Sequence, residues 1–69
     1  MLKAISIITK NIKKCRTKLG ISQDKLSKLA GITLHTITKI ESGATPEPRI
    51  ETVKKIADAL GVSIDDLMR

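Results

Sequence analysis

The chain has no Phe, Tyr or Trp among its 69 residues. Proteins that hold single-stranded nucleic acid stack bases on aromatic rings, and RNA-reading sheets do the same. A chain without rings fits neither class. Cys15 is the single cysteine, so an internal disulfide is excluded. That usage suits a reducing compartment, and a cytoplasmic protein is expected. No apolar run approaches the ~20 residues needed to cross a bilayer, so no membrane partner is expected. The opening MLKAISIITK has one early Lys, a broken apolar run and no small-residue cleavage site, and it does not read as a signal peptide. Acids are scarce in the first part: residues 1–40 hold nine Lys/Arg and one acid, Asp24, whereas residues 41–69 hold four Lys/Arg and six acids. The net charge of +6 therefore sits on one half, which suits a polyanionic partner there. A solvated lysine-rich surface is the plainer alternative.

What is present is helical punctuation, with no alternating strand pattern and no repeat. Ile5, Ile8, Ile12, Cys15 and Leu19 recur at spacings of three and four, predicting a first helix over about 6–19 that starts at Ser6 or Thr9 and stops at Gly20. Residues 1–5 read as a loose arm. Ser22 caps a second helix over 22–30, with Leu26, Leu29 and Ala30 inward. Gly31 turns the chain, Ile32 packs inward, and Thr33 caps a third helix over 33–42 held by Ile37 and Ile40. After Ser42-Gly43 comes the loop ATPEP. A fourth helix over 49–60 buries Ile50, Val53, Ile56, Ala57 and Leu60, and a fifth over 63–68 opens with Ser63 and Asp66 spaced as a capping box. The expected fold is all-α, a compact five-helix bundle forming one domain over 1–69, with a core small enough to benefit from dimerisation.

Only a glycine separates the second and third helices, so they must cross steeply. With Ile37 and Ile40 inward, the third helix turns out Leu34, His35, Thr38 and Lys39, a face without an acid. Such a helix suits the major groove of DNA.

Residues 6–68 resemble the lambda repressor/Cro type of helix-turn-helix domain. The matching residues are Ser22-Gln23, Leu26, Gly31, Ile37 and Ile40-Glu41-x-Gly43, followed by the run PRIETVKKIADALGVSIDDLM. The resemblance implies a sequence-specific transcriptional regulator of double-stranded DNA, a repressor, working as a homodimer on a palindromic operator. It implies base reading by Thr33, Leu34, His35, Thr38 and Lys39. It implies phosphate contacts from Gln23, from Ser42 with the backbone of Gly43 to Thr45, and from Arg49, with Lys10 and Lys13 approaching the backbone. Arg16 and Glu41 match a structural ion pair. A dimer interface is expected from Ile64, Leu67 and Met68. The sequence departs from the family at Cys15, Ser27, Leu34 and Arg49. Leu34 suits a thymine methyl and cannot form a bidentate bond to guanine.

Other features have plainer readings. His35 stands alone, so no metal site is expected, and Cys15 reads as core. Asp65 and Asp66 favour the start of the last helix. Lys54 and Lys55 read as solvated surface. No nucleophile–base pair, metal cluster or phosphate-cradling loop is visible, so neither catalysis nor a cofactor is expected. One rival function stays open: a protein-binding module such as an antitoxin, docking through its acidic, apolar C-terminal end, with DNA autoregulation secondary.

Overall fold

A computed structural model describes residues 3–44 and 48–69 of the chain, with side chains from residue 7 onward. Its helices run in the order α1 (Lys3–Leu19), α2 (Gln23–Ala30), α3 (Leu34–Ser42), α4 (Ile50–Leu60) and α5 (Ile64–Leu67). The fold is all-helical, a small helix-turn-helix bundle. α2 packs on α3 and α4, while α1 packs on α3, α4 and α5. The core between them is Ile12, Leu26, Ala30, Ile37, Ile40, Val53, Ile56, Ala57, Leu60 and Leu67. Asn11 Nδ2 donates to the Leu67 carbonyl at 2.9 Å, tying α1 to α5.

Three corners are built from one repeated unit: Gly20-Ile21-Ser22, Gly31-Ile32-Thr33 and Gly61-Val62-Ser63. In each, the glycine adopts a left-handed conformation and its N–H returns to the ending helix. The apolar residue after it does the same, Ile32 N–H donating to the Ser27 carbonyl at 3.0 Å and Val62 N–H to Ala57 at 3.0 Å. These paired bonds satisfy carbonyls that a helix end leaves open. Ile21, Ile32 and Val62 then pack against the core. The hydroxyl residue finally caps the next helix, with Lys25 N–H donating to Ser22 Oγ at 3.0 Å and Thr36 N–H to Thr33 Oγ1 at 3.1 Å. At α5 the cap is reciprocal: Asp66 N–H donates to Ser63 Oγ at 3.0 Å and Ser63 N–H to Asp66 Oδ2 at 3.1 Å. The Ser63 backbone bond holds the Asp66 carboxyl below its ordinary pKa.

Several expectations are corrected. α1 begins at Lys3, so residues 3–5 are helix and Thr9 is interior. Nothing in KAIS breaks a helix, and a run without Gly or Pro extends toward the terminus. The expected side chains of Ile5 and Ser6 lie outside the described ones. The four later helices begin one residue after their caps, Ser22, Thr33, Arg49 and Ser63. Leu19, Leu29 and Ile50 are 55%, 52% and 65% exposed. In α2 the inward arc is Leu26, Ser27 and Ala30, and Leu29 lies roughly a third of a turn away from its centre. Ser27 takes the inward place, its hydroxyl satisfied by the Asp24 carbonyl at 2.7 Å. Leu19 and Ile50 are terminal residues of their helices, where periodicity gives direction but no neighbour lies opposite.

Gly31 has φ 70° and ψ 32°, and a Cβ built there meets nothing within 4 Å. Gly31→Ala therefore adds conformational strain without a clash, and should lower stability by about 1–2 kcal/mol in urea denaturation.

Candidate nucleic-acid interface

α3 is held from beneath by Ile37 and Ile40, which are 0% and 1% exposed. Everything else on the helix follows from that anchoring. Leu34 and Thr38 lie one turn apart and both are exposed, as are His35 and Lys39 on the adjoining ridge. The face expected to read bases is thus assembled as a continuous outward surface. Thr33 stands at its N-terminal edge, with Oγ1 committed to the cap and 2.8 Å from Thr36 Oγ1. The Thr38 hydroxyl donates to the Leu34 carbonyl at 2.9 Å.

The acid of α3 is turned inward. Glu41 has a side chain only 3% exposed. Arg16 grips both of its oxygens: Nε donates to Oε2 at 2.7 Å and a terminal nitrogen to Oε1 at 3.0 Å. The remaining Arg16 arm donates to the Ile21 carbonyl at 2.7 Å. Gln23 Nε2 adds a bond to Glu41 Oε1 at 2.9 Å. Burial pushes the Glu41 carboxyl up, but the Arg16 and Gln23 hydrogen bonds and the Arg16 and Lys13 charges outweigh it and hold the pKa below the ordinary value. The Arg16 guanidinium is raised by its hydrogen bond to the same carboxylate.

The residues expected at phosphates divide. Gln23 is half-buried and already donates to Glu41, leaving one amide N–H for another acceptor. Lys10 and Lys13 are exposed one turn apart on α1, and the Lys13 charge reaches Glu41 at the end of α3. Arg49 is exposed at the start of α4 and makes no side-chain cap. The clamp expected from Ser42 to Thr45 is not open. Ser42 Oγ donates to the Lys39 carbonyl at 3.1 Å, Gly43 N–H to Ile40 at 3.1 Å, and Ala44 N–H to Ser42 Oγ at 3.3 Å. A phosphate there would displace bonds already made, because these groups close the end of α3. Thr45 lies outside the described residues.

The expected dimer face also changes. Leu67 is fully buried inside one copy and has no surface to offer a second. Ile64 is partly buried, and Met68 is 53% exposed. Among the described residues, no three His, Cys, Asp or Glu side chains gather as metal ligands. Among the same described residues, no helix is long and apolar enough to cross a membrane. Sequence reasoning missed the link between Gln23 and Glu41. No periodicity signals it, since the residues lie on different helices and 18 positions apart.

The family model for the helix-turn-helix matches residues 12–67. The chain belongs to the helix-turn-helix family, of the lambda repressor/Cro-like type. Three relatives carry the family's pattern. An SPbeta prophage-derived uncharacterized HTH-type transcriptional regulator, YonR of Bacillus subtilis (strain 168), is 41% identical over 58 residues, covering 84% of this chain and 53% of the relative. A second uncharacterized HTH-type regulator from that organism, YqaE, is 33% identical over 63 residues, covering 91% and 53%. An uncharacterized HTH-type transcriptional regulator of Haemophilus influenzae is 41% identical over 49 residues, covering 71% and 49%. The chain spans about half the length of these curated relatives. No solved structure is a significant match to it.

Within this helix-turn-helix domain the ion pair yields two expectations. Arg16→Met alone should cost about 3–5 kcal/mol, since it strands the buried Glu41 carboxylate, and Glu41→Leu less, since the Arg16 guanidinium keeps some solvent, whereas the double substitution should recover most of the loss. Chemical denaturation of the four proteins measures the cycle. The second concerns acid. Glu41 has a depressed folded pKa, so its contribution is complete above the unfolded carboxylate range and is lost as pH falls through the folded value. Between those two values wild type should lose stability more steeply than the double variant, in denaturation curves recorded across that acid window.

Proposed function

We propose that the domain is a sequence-specific transcriptional regulator of double-stranded DNA. It acts as a homodimer on a palindromic operator and represses by occupying it. The observation that carries this reading is the outward surface of α3: exposed, anchored from below, and free of acid because Glu41 is folded away. Such a helix fits the major groove, where side chains of this length reach base edges. Thr33, Leu34, His35, Thr38 and Lys39 read bases, with Leu34 against a thymine methyl. Gln23, Arg49, Lys10 and Lys13 contact phosphates, and Ser42 joins them only after its hydroxyl rotates away from Lys39. The surplus of Lys/Arg in residues 1–40 gives the duplex its general attraction. Met68, with Ile64 beside it, supplies the surface for a second copy. The relatives are named as transcriptional regulators of bacteria, which supports regulation in the cytoplasm.

Affinity for duplex DNA should fall steeply with salt, on a log–log plot whose slope counts the phosphates contacted. Lys10→Ala, at a phosphate contact, should weaken all duplexes alike and flatten that slope by roughly 1. Leu34→Ala should leave the slope alone and shift preference at one base pair by about 1–3 kcal/mol. A slope near zero for wild type would discard the function altogether.

A further inference from the structure

The Thr38 hydroxyl faces two acceptors. Its Oγ1 lies 2.9 Å from the Leu34 carbonyl oxygen and 3.5 Å from Gln23 Oε1. A carbonyl only accepts, so the first neighbour can take only the hydroxyl proton. The second is fixed by a longer chain of bonds. Glu41 is bound by Arg16 and faces the Gln23 amide at 2.9 Å, and a carboxylate also only accepts. The amide must therefore present its NH2 end to Glu41, which leaves its oxygen on the Thr38 side. Neither rotation of the hydroxyl toward the protein finds a donor among the described residues. With the inward bond to Leu34 made, Thr38 turns lone pairs outward from an exposed position on α3.

In the major groove the donors are the exocyclic amino groups, N6 of adenine and N4 of cytosine. Guanine offers N7 and O6, and thymine offers O4, all acceptors. We propose that Thr38 reads an amino group, selecting adenine or cytosine over guanine or thymine on the strand it faces, because Leu34 and the Arg16–Glu41–Gln23 chain keep its proton within the protein. This rests on the DNA-binding function proposed above. It adds a polarity: Thr38 is an acceptor, and the ion pair beneath α3 is a positioning device for it.

The test starts from duplexes selected by the full chain out of a random pool. In a selected duplex, each base pair is altered by one group at a time. Purine for adenine, or 2-pyrimidinone for cytosine, removes the amino group. 5-Methyl-2-pyrimidinone for thymine, or 2-aminopurine for guanine, removes the keto oxygen. At one pair, amino deletion should cost wild type roughly 3–10-fold in affinity, the range of a single hydrogen bond. Thr38→Val, which keeps the shape and loses the hydroxyl, should show no such penalty at that pair, and Thr38→Ser should behave as wild type. Comparing the two proteins on the same altered duplex cancels any weakening of the base pair itself. The proposal is overturned if the penalty that disappears in Thr38→Val belongs to a keto oxygen, or if no pair distinguishes the two proteins. In both cases salt-sensitive, selective binding by wild type would leave the DNA-binding function standing. Absence of that binding would remove both.

Discussion

The Arg16–Glu41 pair is the contact on which the rest of the molecule depends. One guanidinium reaches the carboxylate at the end of α3 and the Ile21 carbonyl in the corner before α2, and the same carboxylate takes the Gln23 amide at the start of α2. Three helices are thereby referenced to a single planar group. Buried ion pairs contribute little net stability, because desolvation offsets most of their attraction. Their value lies in discrimination: a misplaced α3 would strand a charge in a dry site, whereas a misplaced leucine loses only contact. The exposed pairs Asp24–Lys28 and Lys54–Asp58, at 3.2 and 3.5 Å, impose no such constraint.

The pair also shapes the electrostatic surface. A glutamate one turn nearer solvent would set a negative charge beside the outward face of α3 and oppose a polyanion. Here the charge is met by Arg16 and reinforced by Lys13, so the positive potential of the first half of the chain extends across α3. On α4 and α5 lie Glu51, Asp58, Asp65 and Asp66, with Asp65 paired to Arg69 at 2.8 Å. Arg49, Lys54, Lys55 and Arg69 balance those four acids, so the positive charge is concentrated on the first half of the chain.

Much of this was legible in the residues. Helix number and order followed from glycines and hydroxyl caps, because those residues act locally and leave a local mark. The inward residues Ile37, Ile40, Val53 and Leu60 followed from spacing, since one helical face is one periodicity. What escaped depends on neighbours that sequence order does not bring together. Leu29 has the right spacing to be inward, but the inward arc of α2 is centred on Leu26, Ser27 and Ala30, and a serine with a satisfied hydroxyl displaces it. Ser42 has the right chemistry for a phosphate, yet its proton and the adjacent N–H groups already close α3. Leu67 is apolar near the chain's end, which suits either a core or an interface, and only the packing of α1 over α5 decides for the core. The outward face of α3 was readable as a set of residues. The direction in which Thr38 holds its proton was not, because it is set by a glutamine on another helix.

The repeated glycine–apolar–hydroxyl corners have a consequence for how the chain finds its shape. Each corner encodes stop, plug and restart within three consecutive residues, so the angle between successive helices is decided before distant parts of the chain meet. Little loop entropy remains to be overcome when they do. Domains assembled from such short-range instructions reach their native state quickly. The distant agreement still required is concentrated in the core contacts and in the meeting of Arg16 with Glu41. The corners make a framework of nearly correct geometry, and one buried charge certifies that the helices have closed in the right order.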